Sequence, residues 1–191
     1  MPRIFRAAFL IALTVASSSC SPSASDQRAG AGADSAAQAA ASMTPVQRGQ
    51  YLVAVLGCHD CHTPGTLYGA PDMNRQLSGS DLGWQGPWGI SYASNLTPDS
   101  TGLGSWTDEE ILRAIQNGVK KDGSPMAPPM PWPDFAHLTP SDAAAVVAYL
   151  RTVPAIQHQS PERVPPGRKA TGSIVVFPPA PTWDKPPKPA S

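Results

Sequence analysis

Residues 58–62 read Cys58-His59-Asp60-Cys61-His62, two thiols three positions apart with an imidazole directly after the second. That order and spacing suit one chemistry best. Two thiols on a single short turn can add to the two vinyl groups on one side of a porphyrin, and the histidine that follows can reach the iron from the same turn. The motif therefore points to one covalently attached haem c, with Cys58 and Cys61 as attachment points and His62 as proximal ligand. Two rival readings are weaker. A structural zinc site wants four ligands, often two cysteine pairs, and the remaining cysteine, Cys20, is far from the motif, leaving His59, His137 and His158 as the other donors. A redox-active dithiol wants a βαβ unit beside its C-x-x-C, and the flanks show no such strands.

Haem iron held by histidine has one further axial position, and a thioether there stabilises the ferrous state. Met1 falls in a leader and Met43 precedes the globular part, which leaves Met73, Met126 and Met130. Met130 stands in Pro128-Pro129-Met130-Pro131-Trp132, where proline on both sides stiffens the backbone and lowers the entropy cost of presenting the sulfur. Met130 is the expected distal ligand, and Met126 in the same loop is its competitor. Trp84, Trp88, Tyr92 and Asn95 lie in a glycine-rich stretch, where their hydrogens either serve the haem propionates or simply pack the loop. His137 and His158 read as surface or structural residues.

Three helices must position these groups. The first starts at Thr44, with Pro45 in the first helical position and Gln47 completing a capping box, and ends at Gly57. Val46, Val53 and Leu56 share its expected buried face, and Gly49 implies close approach by another helix. The second starts at Thr107 with Glu110 as its box partner and a Trp106–Ile111 staple, and its expected stripe is Ile111, Ile115 and Val119. The third starts at Thr139, runs through Ala143, Val146, Val147, Tyr149 and Leu150, and stops before Pro154. Between the first two, residues 63–105 lack helical periodicity. A structureless segment that long makes sense in a compact domain if it wraps a large apolar object.

The ends read differently. Residues 1–19 carry Arg3 and Arg6 ahead of a short apolar run, the pattern of an export signal peptide. Cys20 follows at once and resembles the lipidated cysteine of a bacterial lipoprotein, although Ser17-Ser18-Ser19 departs from the usual leucine three places before it. Lipidation at Cys20 and ordinary cleavage nearby both remain open. Residues 20–43 are an Ala/Ser/Gly-rich tether, residues 44–153 the globular domain, and residues 154–191 a proline-rich extension in which helix and central strand are disfavoured. That extension reads as a strap with Val175 and Phe177 as its pins. The 191 residues hold 14 basic and 14 acidic side chains, so no net positive charge supports nucleic-acid binding.

The runs RGQYLVAVLGCHDCHTP (residues 48–64), SNLTPD (94–99), GSWTDEEILRAI (104–115) and MPWPDFAHLTPSDAAAVVAYLRTVP (130–154) together resemble a single-haem cytochrome c domain. They are similar to the domains found in cytochrome subunits of bacterial membrane dehydrogenases and in related stand-alone cytochromes. The resemblance implies an all-α fold, three main helices and long loops around one haem. It also implies crossing first and last helices, and His62 and Met130 as axial ligands. With one haem motif, the chain cannot hold a multi-haem relay. The implied function is electron transfer outside the cytoplasm, as a free carrier or a non-catalytic dehydrogenase subunit meeting other redox proteins. A membrane would be reached through a lipid on Cys20. The alternative is a haem enzyme or gas sensor with a displaceable distal ligand.

Overall fold

In the computed structural model, which describes residues 42–178, each of the three expected helices starts on its threonine. The chain divides into units Met1–Ala41 and Ser42–Ser191, and every described residue belongs to the second. The expected signal peptide, Cys20 and nearly all of the tether lie outside the described residues. Helix α1 spans Pro45–Val55, with the Thr44–Gln47 capping box closed in both directions. The C-x-x-C-H motif forms the short helix α2, Cys58–His62. Helix α3 is Asp108–Asn117, with the Thr107–Glu110 box also closed and Gly118 ending it in the left-handed region. A short helix α4, Trp132–Phe135, precedes α5, Pro140–Leu150, capped by Thr139. No helix among the described residues is long and apolar enough to cross a membrane.

The core forms where α1 and α5 pack together and α3 closes against α5. Leu52 and Val53 meet Ala145, Val146, Val147, Tyr149 and Leu150, with Ile111, Leu103 and Val153 completing the cluster. Two expected core positions differ. Val46 is exposed although it shares a face with Gly49 and Val53, because it stands in the first turn of α1, ahead of the buried run that begins at Gly49. Val119 lies beyond the end of α3 and instead bridges Pro125, because Gly118 turns the chain away before the stripe can continue.

The helical core draws no residue from strands, but the all-α expectation omits a small sheet beside it. Strands β1 (Gly83–Gly86) and β2 (Gly89–Tyr92) form an antiparallel hairpin, and β3 (Ile174–Val176) runs parallel to β1 on its other side. The sheet order is β2-β1-β3, so the strand from the proline-rich extension sits at an edge, where its unpaired side needs no partner. Val175 pairs with Trp84, and the Phe177 ring packs 6.1 Å from Trp84 and 5.6 Å from Trp88. Residues 63–105 are thus more ordered than expected, with single turns at Thr66–Tyr68 and Met73–Arg75 ahead of the hairpin.

One ion pair ties α1 to the start of α5. Arg48 Nε and Nη2 donate to the two oxygens of Asp142 at 2.8 and 3.3 Å. Arg48 holds the Asp142 carboxyl below its ordinary range, with the Thr139 hydroxyl assisting. A carboxylate with a lowered folded-state pKa stabilises the fold above its unfolded pKa of about 3.9, and that stability is lost as pH falls through the folded value. The pair is partly exposed, so its contribution is below about 1 kcal/mol. Melts between pH 6 and pH 2 are expected to show Asp142→Asn losing less stability on acidification than wild type. Equal acid losses would discount the pair.

Candidate haem-attachment site

Helix α2 is only five residues long, and its start depends on a glycine. Gly57 takes φ 69°, turning the chain sharply out of α1 so that Cys58 begins a new helix direction. Within α2 the two cysteines, three residues apart, fall on one helical face. Both are free thiols and half-buried. Burial pushes the Cys58 thiol up to about 11 and raises Cys61 as well.

His62 is buried, and its two ring nitrogens are treated differently. Nδ1 lies 2.7 Å from the Ser94 carbonyl oxygen, and since a carbonyl only accepts, Nδ1 carries the proton and donates it. Nε2 has no hydrogen-bond partner among the described residues. Burial lowers the His62 pKa, against the opposing pull of the Ser94 carbonyl, so the ring is neutral with its lone pair on Nε2. A neutral imidazole with one nitrogen oriented by a carbonyl and the other free is the state a metal requires. The backbone of His62 is held too, its carbonyl accepting from Gly79 N at 2.9 Å.

The loop behind the motif is close-fitted. Thr63 Oγ1 accepts from Leu77 N at 3.0 Å and bonds His59 Nδ1 at 2.9 Å. Leu77 is fully buried at φ 59°, a conformation non-glycine residues avoid, and its carbonyl accepts from Leu96 N at 2.8 Å. Such strain persists only where the surroundings over-determine it. Next to it, Ser78 Oγ is buried with no partner.

The distal candidates sit in the segment between α3 and α4. Met126 N donates to Gly118 O at 2.8 Å, and the Ser91 hydroxyl of β2 donates to the Pro128 carbonyl, two residues before Met130. Met126 and Met130 are both half-buried, whereas Met73 is 60% exposed. An apolar groove of about 460 Å³, lined by Trp88, Pro128, Pro129, Phe177 and Pro178, lies along this loop.

The donor set fits a covalently held haem: two thiols on one face, a neutral imidazole with a free Nε2, and a buried orphan hydroxyl nearby. The cytochrome c family model matches residues 46–154, more than half of the chain. The chain belongs to the cytochrome c family. Membership implies a covalently bound haem c and an electron carrier rather than a catalyst. The chain is 35% identical over 105 residues to the cytochrome c subunit of a quinone alcohol dehydrogenase of Gluconobacter oxydans, covering 54% of this chain and 20% of that protein. It is 31% identical over 115 residues to the fructose dehydrogenase cytochrome subunit of Gluconobacter japonicus, covering 60% of this chain and 22% of that one. A diheme cytochrome of Cereibacter sphaeroides is 30% identical over 112 residues, 56% of this chain and 36% of that protein. The chain thus spans about a fifth of the length of the two dehydrogenase subunits.

In this cytochrome c, two of the residues considered for the propionates are spent elsewhere. The Trp88 indole N–H donates to the Trp84 carbonyl at 3.2 Å. Asn95 is buried, and its amide donates to Thr101 Oγ1 and to the Ile156 carbonyl. Trp84 and Tyr92 keep their side-chain N–H and O–H without a hydrogen-bond partner among the described residues. His158 lies 3.3 Å from Asp81, joining the extension to the loop before β1. The residues that sequence reasoning missed, Ser94, Gly79 and Leu77, act through the backbone. Ser91 acts through a hydroxyl that carries no motif.

Proposed function

We propose that this cytochrome c is an exported single-haem electron carrier. Cys58 and Cys61 hold the haem, His62 and Met130 occupy its two axial positions, and residues 44–153 form the haem domain. The observation that carries this reading is His62, neutral and buried, with Nδ1 committed to Ser94 and Nε2 uncommitted one residue from a paired thiol. When bound, haem supplies a one-electron ferric/ferrous couple. The chain's own residues do the rest. The cysteines prevent dissociation, the Ser94 carbonyl orients the proximal ring, and the prolines around Met130 keep the thioether in place without a large entropy cost.

Outside the cytoplasm this carrier meets other redox proteins through small, short-lived interfaces, and lipid on Cys20 tethers it to a membrane. A second reading is favoured by the relatives' names: two are cytochrome subunits of dehydrogenases. On that reading the chain accepts electrons from a dehydrogenase as a separate small subunit, and a copurifying flavin- or quinone-containing partner distinguishes it from a free carrier.

The test is expression of the full chain in a host that matures c-type haem. The purified protein is expected to show a mass increased by one haem, a pyridine haemochrome spectrum of the c type, and colour that acidified organic solvent does not extract. A colourless product, or extractable pigment, overturns the reading.

A further inference from the structure

The family match ends at residue 154, yet the chain beyond it is bound to the very loop that holds His62. We propose that residues 155–164 are a positioning strap, which fixes the Ser94 carbonyl against His62 Nδ1 and thereby sets the reduction potential. The proposal rests on the haem reading above. Ser94 is itself exposed, so its side chain is not what holds its carbonyl in place. Its two neighbours do so instead, and the strap binds both.

On one side, the Ala93 carbonyl accepts from Ser160 Oγ at 2.8 Å and from Ser80 N at 3.0 Å. On the other, Asn95 Nδ2 donates to the Ile156 carbonyl at 2.7 Å, while its Oδ1 accepts from the amide and hydroxyl of Thr97 at 2.9 and 2.8 Å. Thr97 Oγ1 in turn accepts from Ile156 N at 3.1 Å, and Thr101 Oγ1 from His158 N at 3.0 Å. The peptide between Ala93 and Asn95 is therefore pinned at both ends by residues outside the family match.

These contacts meet behind the histidine. A Cβ on Gly79 would stand 2.5 Å from Ser160 Oγ, 2.8 Å from the Ala93 oxygen and 2.8 Å from Asn95 N. Gly79 N is the donor to the His62 carbonyl. Strap, loop and ligand segment thus close on one point with no slack to absorb a shift. Apolar burial is not what the strap provides, because none of residues 155–164 is buried. Its contribution is a run of directed hydrogen bonds.

A firm Nδ1–H···O bond raises the basicity of a ligating imidazole and so favours the ferric state. Loosening the Ser94 carbonyl raises the potential. The experiment uses the haem-loaded full chain with two independent variants, Ser160→Ala and Thr97→Val, each removing one hydroxyl from the stitching. At a fixed ambient potential, each is expected to raise the ferrous-to-ferric ratio about three-fold or more. Each should also speed solvent exchange of the His62 Nδ1 proton in the ferrous protein, while Ser160→Thr, which keeps the hydroxyl, stays near wild type. A merely structural strap would lower melting temperature and leave potential and exchange unchanged, and that result in the folded variants overturns the proposal. A chain that takes up no haem overturns the functional reading as well, whereas haem-loaded variants of wild-type potential overturn the strap alone.

Discussion

Met130→Ala is expected to abolish the sulfur-to-iron charge-transfer absorption of the ferric protein, lower its potential, and open the ferrous protein to carbon monoxide. Met126→Ala is expected to leave all three unchanged. A thioether opposite histidine favours ferrous iron, so its loss shifts the couple toward ferric. The two methionines are distinguished by what holds their backbones. Met126 is bonded to Gly118 at the end of α3, while the stretch leading to Met130 is bonded through Pro128 to Ser91 of β2. Ser94, which orients His62, lies only three residues after Ser91 on the same extended run. His62 and the stretch leading to Met130 thus each bond to one short run of chain, His62 to Ser94 just past β2 and Pro128 to Ser91 within it. Loss of the absorption in Met126→Ala, with Met130→Ala unaffected, would move the ligand to Met126. Rapid carbon monoxide binding by the ferrous wild type would favour a displaceable ligand and hence an enzyme or sensor.

Gly49→Ala is expected to cost about 3 kcal/mol or more of folding stability, a large effect for one added methyl group. Intrinsic propensity has the opposite sign, since alanine in a helix interior is favoured over glycine by about 1 kcal/mol. Tertiary packing decides. A Cβ at Gly49 would lie 1.9 Å from the Ala145 carbonyl oxygen and 2.7 Å from Tyr149 Cβ, both on α5. Backbone cannot rotate out of the way as a flexible side chain can, so α1 and α5 would have to separate along the contact that builds the core. Chemical denaturation of Gly49→Ala beside Gln50→Ala, on the exposed face of the same helix, measures this. Equal stability of the two variants would show that the helices do not cross so closely.

Much of the framework was legible because its signals are local. A helix cap is local: Thr44 and Thr107 with their box partners three residues on, and Thr139 followed by Pro140, marked their helix starts without tertiary information. The attachment motif is equally local, since one turn must carry both thiols and the imidazole. Buried faces were less legible at helix ends: Val46 and Val119 have the right spacing, but one precedes the contact and the other follows Gly118. The sheet was missed because β1 and β2 are four residues each and rich in glycine, and β3 lies about 80 residues away, so no local pattern announces their pairing.

What the order of residues made legible was a C-x-x-C-H turn at 58–62 and the starts of three helices, because both depend on side chains a few positions apart. Only the tertiary structure decided which atom orients His62, how closely α1 meets α5, and that the segment beyond residue 154 is stitched to the ligand loop. Each of these rests on a backbone carbonyl or an absent side chain meeting a distant part of the chain, and such partners leave no mark in the order of residues.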